Sequence, residues 1–247
     1  AAPDLTRLFP EGYAEQRSAA EVAVAQRLTI LTGGPGTGKT TTVARLLAAL
    51  AEQAHLAGGT GLRMALAAPT GKAAARLQEA VALEVSRLSP VDRRRLAGVR
   101  STTLHRLLGS RPDTSSRFRH HRHNRLPYDV VVIDETSMVS LTMMARLLEA
   151  VRPDARLVLV GDPDQLASVD AGAVLADLVE GLGEEGGGEL KTPHRFGQSI
   201  GALAHAVRTG DDDAAMDVLR RGGDAIGWVA TTDAVDALRA SLLERAV

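Results

Sequence analysis

The sequence predicts an α/β fold in which a parallel β-sheet is flanked by helices. Three observations carry this expectation. Four short runs, Leu28–Leu31, Met64–Ala67, Val130–Ile133 and Leu157–Val160, are apolar without alternation, as strands are when both faces of a sheet are covered. Segments of helical periodicity lie between them. In the first, Val43, Leu46, Leu47 and Leu50 follow the i, i+3, i+4, i+7 spacing. A glycine-rich turn joins the first run to that helix, and strand–helix alternation is the pattern of parallel sheets.

Composition narrows the class. With 45% hydrophobic and 24% charged residues over 247 positions, the chain reads as one large globular domain or one domain with part of another. No apolar run approaches the roughly eighteen residues of a membrane-spanning helix, so no membrane association is expected. The start, AAPDLTRLFPEG, has neither a basic beginning nor a long apolar core, so it is not expected to be a signal peptide. It has no initiating Met, which gives the expectation that the chain is a piece of something longer. The absence of Cys excludes a disulfide framework and Cys-ligated zinc, and fits a cytoplasmic protein. A net charge of −1 gives no overall field for nucleic acid. Lys39, Lys72 and Lys191 are the only lysines among 29 Lys and Arg residues, and the first two sit in Gly-Lys pairs within motifs.

The first strand runs into Gly33-Gly34-Pro35-Gly36-Thr37-Gly38-Lys39-Thr40, followed by Thr41, and this matches the P-loop pattern in a strand–loop–helix context. Glycines let backbone N–H groups crowd around phosphate oxygens, and the helix N-terminus adds its positive end. Lys39 is expected to reach the β- and γ-phosphates, and the Thr40 hydroxyl to ligate Mg²⁺. The third strand ends in Asp134-Glu135. Asp134 fits the carboxylate on the magnesium side, and Glu135 is placed to polarise an attacking water as general base. The fourth strand ends in Gly161-Asp-Pro-Asp-Gln165. In a parallel sheet that end faces the same crevice, where a Gln senses a γ-phosphate or orients water.

Other segments are less regular. GLGEEGGGE (181–189) has five Gly and three Glu and reads as a linker. Helical segments follow near 200–207, 214–220 and 234–246. Between Arg111 and Arg125 lie five Arg, three His and one acid, a composition able to follow a phosphate backbone without reading bases.

Taken in order, GGPGTGKT, APTGKAAARL, STTLHRLLG, VVIDETSM, VGDPDQLASVDAGAVLADL and PHRFGQSIGALA resemble the superfamily 1 DNA helicases. Within them the chain is similar to the RecD group, the α chain of exodeoxyribonuclease V (RecBCD). The resemblance runs from about Leu5 to Asp211. It implies a RecA-like P-loop NTPase that uses ATP and Mg²⁺ for 5′→3′ translocation and DNA unwinding in double-strand break repair and recombination. RecB- and RecC-type subunits are the implied partners in a heterotrimer. The resemblance implies that Gln16 recognises the adenine. It also implies that Thr70 and Lys72 in PTGKAA contact single-stranded DNA, as a loop hydroxyl and a Lys beside a helix N-terminus suit a phosphate. Thr103 and His105 resemble a further strand-contacting motif, although the residues alone leave a structural role for His105 open. Arg195 matches the Arg that a second RecA-like domain offers to the γ-phosphate. The 111–127 segment corresponds to a small insertion that approaches DNA.

The resemblance divides the chain into a first motor domain, 1–183, and a linker with the opening of a second, 184–247. Lacking the rest of that second domain, the chain by itself is expected to bind nucleotide but to turn it over weakly. Three alternatives stay open at this point: a free-standing RecD-like or conjugative helicase, a nucleotide-regulated binding module without motor activity, and a small-molecule P-loop kinase.

Overall fold

The computed structural model describes residues 2–111, 114–165, 174–183, 186–192, 198–222, 226 and 228. The chain divides into two compact units, Ala1–Pro193 and His194–Val247. The first unit begins with α1 (Leu5–Leu8), α2 (Ala14–Ala25), β1 (Leu28–Gly33), α3 (Lys39–Leu56), β2 (Met64–Ala68), α4 (Gly71–Ser86) and α5 (Pro90–Leu96). It continues through β3 (Arg100–Thr103), α6 (Leu104–Leu108), β4 (Ser110–Arg111), β5 (Thr114–Phe118), β6 (Val130–Ile133) and a 3₁₀ turn (Thr136–Met138). It closes with α7 (Leu141–Ala150), β7 (Arg156–Gly161), α8 (Val174–Leu182) and β8 (Gly187–Leu190).

Six strands form one sheet in the order β3-β2-β6-β7-β1-β8, every pair parallel. Successive residues of each strand feed opposite layers. Val130 and Val132 pack with Leu46, Leu47 and Leu77 on the face covered by α1 to α5. Val131 and Ile133 pack with Leu107, Met144 and Leu147 on the face covered by α6, α7 and α8. This two-sided burial is why the four central strands are mostly apolar without alternation. The helix that follows β1 lies on one face, and the helices that follow β6 and β7 lie on the other. The neighbouring strands β1 and β7 therefore send their connections to opposite sides, and such a switch point opens a crevice at the carboxyl edge.

The structure corrects the sequence reading in three places. Of the expected linker 181–189, residues 181 and 182 end α8, and 187–189 form, with Leu190, the edge strand β8 beside β1. Residues 184 and 185 of that run lie outside the described residues. The polar segment RSTT is strand β3 at the opposite edge. The basic insertion contains the antiparallel hairpin β4–β5 rather than a loop alone. In the second unit, α9 (Gln198–Thr209) and α10 (Asp212–Arg221) take in the expected helices near 200–207 and 214–220. The Asp211 carboxylate caps α10 by accepting from Ala214 N–H at 2.9 Å. The helix expected at 234–246 lies outside the described residues.

A buried carboxylate ties three helices of one layer together. Asp92 in α5 is 0% exposed. It accepts from Arg7 Nη1 of α1 at 2.6 Å and from Ser89 Oγ at 2.7 Å, and it lies 3.5 Å from Arg95. Arg7 also pairs with Glu52 of α3 at 3.2 Å. Burial alone pushes the Asp92 carboxyl up. The hydrogen bonds from Arg7 and Ser89, with the charges of Arg7 and Arg95, outweigh that and hold it below its usual range. Asp92→Ala is expected to cost about 2 kcal/mol in urea unfolding. That is less than a fully buried pair, because the Arg7 side chain is 38% exposed. The depressed folded-state pKa makes this contribution complete above the unfolded carboxylate value of about 3.9 and lost as pH falls through the folded one. The stability gap between the native chain and Asp92→Asn should therefore narrow as pH is lowered from about 5 towards about 2.

Candidate functional site

Strand β1 delivers the chain to the sheet edge at Gly33, and α3 leaves it at Lys39. The helices α4, α5, α6 and α7 start on a hydroxyl that caps a backbone N–H: Thr70, Ser89, Thr103 and Ser140. Helix α3 starts on Gly38, in the left-handed region at φ 91°, with no side-chain cap. Its first-turn N–H groups and the positive end of an 18-residue helix are thus offered outward at Gly34–Thr40, an anion-binding geometry. Gly33 is required by close approach, since a Cβ there would meet the Leu190 carbonyl oxygen of β8 and Thr37 Oγ1, each at 2.7 Å.

The loop is held in shape from inside. Thr37 is buried, and its hydroxyl donates to the Gly34 carbonyl at 2.9 Å. Gln16 is 1% exposed, and its Nε2 donates to the Thr37 carbonyl at 3.1 Å. The ammonium of Lys39 donates to the carbonyls of Gly33 and Gly34, in the second case at 2.9 Å. Burial pushes the Lys39 ammonium below its ordinary pKa, while the carboxylates of Asp162 and Asp134 pull it back up. Thr40 and Thr41, in the first turn of α3, are half-buried.

Two neighbouring strands supply the acids. Asp134 follows β6 and extends its ladder, donating its N–H to the Ala67 carbonyl. Its carboxyl is raised by burial and by the charge of Glu135, and is lowered by the Glu135 N–H at 2.9 Å and by Lys39. Glu135 is the only non-glycine with positive φ among the described residues (φ 51°, ψ 42°). This conformation costs a residue with a Cβ about 1–2 kcal/mol, and it turns the chain sharply after the strand. At the end of β7, Gln165 is exposed beyond the GDPD turn. Asp162, which the sequence reading passed over, is 6% exposed and accepts from Asp164 N–H at 3.1 Å. Its position straight after a buried strand was the signal that could have found it. The Thr40 hydroxyl and the Asp134 carboxylate are hard oxygen donors of the kind Mg²⁺ accepts beside phosphate and water. Among the described residues no group of three His, Cys, Asp or Glu could cage a metal without such a ligand.

The same edge continues beyond the acids. β2 ends beside β6, and β3 beside β2, with Ala68 in register with Thr103. Thr70 accepts from Ala73 N–H at 3.1 Å, and Thr103 from Arg106 N–H at 3.2 Å, so each hydroxyl is a helix cap that keeps its own proton to donate. Lys72 and His105 are exposed. The His105 ring packs against Phe118 at the end of the hairpin, with centroids 6.0 Å apart. From one side of the sheet to the other, the edge therefore carries Thr103 and His105, Thr70 and Lys72, Asp134 and Glu135, Asp162 and Gln165, then the glycine loop. Arg195 lies outside the described residues.

The AAA domain family matches residues 16–171. The RecBCD enzyme subunit RecD of Mycolicibacterium smegmatis is 72% identical over 247 residues, which is all of this chain and 44% of that protein. RecD of Mycobacterium tuberculosis H37Rv is 61% identical over 248 residues, covering 99% of this chain and 43% of that one. The ATP-dependent RecD2 DNA helicase of Deinococcus radiodurans is 43% identical over 166 residues, 67% of this chain and 20% of that protein. The chain thus spans less than half the length of these relatives. A solved structure of Pif1 helicases at forked double-stranded DNA shares the fold, with a TM-score of 0.50 and 19% identity over 85% of this chain and 51% of that one. The chain belongs to the AAA domain family, and it resembles RecD members from end to end.

Proposed function

We propose that the chain carries the nucleotide-driven part of a DNA helicase subunit, in a RecBCD-type enzyme that processes broken DNA in the cytoplasm. ATP with Mg²⁺ is its fuel, and RecB- and RecC-type chains are its partners. One observation supports this reading: the strand order brings the glycine loop, the acids and the loops of Thr70–Lys72 and Thr103–His105 to a single sheet edge. A small-molecule kinase has no use for the Thr70–Lys72 and Thr103–His105 end of that edge. A non-motor module has no use for an acid held at Glu135 against backbone strain.

In this reading the first-turn amides of α3 and Lys39 bind the phosphates, and Thr40 and Asp134 hold Mg²⁺. Held by those two side chains, the ion would supply positive charge to the phosphate oxygens. Glu135 orients and deprotonates the attacking water, and Gln165 positions it against the γ-phosphate. Arg195 is assigned to supply positive charge to the same phosphate during its cleavage. Thr70, Lys72, Thr103 and His105 contact the backbone of one DNA strand, and Gln16 reads the adenine side of the nucleotide.

The reading is tested with the full-length protein and its partner subunits. Single-stranded oligonucleotide should raise ATP turnover severalfold, and turnover indifferent to DNA would favour the kinase alternative. Glu135→Gln should keep nucleotide affinity, read with a fluorescent ATP analogue, while lowering kcat by about 10²–10⁴. Glu135→Gly should also abolish turnover but stabilise the fold by about 1 kcal/mol, because glycine adopts the left-handed region without a Cβ penalty. Lys72→Ala should weaken DNA binding uniformly across sequences and lower the slope of log K against log salt by about one.

A further inference from the structure

Two adjacent residues in the first turn of α2 grip different parts of the molecule. Gln16 holds the phosphate loop through the Thr37 carbonyl at 3.1 Å. Glu15 holds the strap that follows β8. Its Oε2 accepts from the N–H groups of Lys191 at 2.9 Å and Thr192 at 3.1 Å, and its Oε1 accepts from the Thr192 hydroxyl at 2.7 Å. Lys191 and Thr192 are the last described residues of the first unit, which ends at Pro193.

The surroundings make this connection stiff. Helix α2 lies directly on the glycine backbone of β8, where a Cβ at Gly188 would fall 2.3 Å from that of Ala19. A Cβ at Gly33, at the start of the phosphate loop, would fall 2.7 Å from the Leu190 carbonyl oxygen. An acid in the first turn of a helix is favoured by the helix dipole wherever it points. Three donors converging on one carboxylate are a stronger and more directional arrangement than the dipole asks for.

We propose that Glu15 is a positioning residue that ties the chain leaving the nucleotide-binding unit to the helix that grips the phosphate loop. A change in the loop on nucleotide binding is thereby registered at residues 191–192, where the path to the second unit begins. This rests on the motor reading for its purpose but not for its test.

Hydrogen exchange reads the tie directly, because Glu15 accepts the amide hydrogens of Lys191 and Thr192. In the full-length protein, a non-hydrolysable ATP analogue should change exchange in the peptide covering 187–192 by about threefold or more. Glu15→Ala should speed that exchange about tenfold and erase its response to nucleotide. Glu15→Gln keeps an acceptor oxygen for both amides and should keep the response. Thr192→Val removes one surface donor and should give a partial loss in the same direction, a check that survives should Glu15→Ala misfold. DNA-stimulated kcat of Glu15→Ala should fall about tenfold with KM for ATP within about twofold, the split expected when coupling rather than ground-state binding is lost. Exchange at 187–192 that ignores nucleotide in the native protein overturns the proposal, as does a response kept in both Glu15→Ala and Thr192→Val. If turnover proves indifferent to DNA while exchange at 191–192 still follows nucleotide, the tie stands and the motor reading falls.

Discussion

The start of α3 is a helix terminus whose backbone N–H groups receive no side-chain cap, and the rest of the site is arranged around that omission. A polypeptide seldom leaves a helix end so exposed without giving its donors another acceptor. Here the N-cap is Gly38, in the left-handed region, and the Lys39 ammonium donates to the carbonyls of Gly33 and Gly34. Asp162 and Asp134 arrive from the adjacent strand β7 and the next one, β6. The crevice therefore pairs a donor-rich loop with an acid-rich wall, an arrangement that favours an anion on one side and a cation between.

The topology makes this pairing possible. Because β1 sits between β7 and β8, its loop is flanked on one side by strands that bring carboxylates and on the other by a strand that begins with two glycines. The lining of the β8 side has to be thin, as the short notional contacts at Gly33, Gly187 and Gly188 show. On the far side of the acids, β2 and β3 end in hydroxyl-capped helices, so the sheet edge changes chemistry gradually from nucleotide to the proposed DNA surface.

Much of this was legible in the sequence, for a physical reason. Strands buried on both faces are mostly apolar without alternation, so β1, β2, β6 and β7 stand out despite Thr29 and Thr32 in β1. The glycine loop and the strand-end acids are read from the elements around them. The edge strands were harder. RSTT and GGEL form strands because a neighbour offers hydrogen bonds, and their own side chains carry little of that preference. Glycine in GGEL reads as linker composition, yet it is the absence of side chains that lets α2 lie against β8. The threonines at 70 and 103 show another limit. A hydroxyl before a helix is the same signal whether it serves the helix, a ligand or both.

The register of β1 sets the order in which the molecule can be completed. Leu28 pairs with Leu157, and Ile30 with Gly187, so both neighbours of the strand that carries the phosphate loop come from far downstream of it, β7 first and β8 last. A ribosome releasing this chain would expose an apolar segment early and supply its partners late, the situation in which long-range pairing is slow and prone to wrong contacts. The nucleotide pocket is consequently among the last parts of the unit to exist.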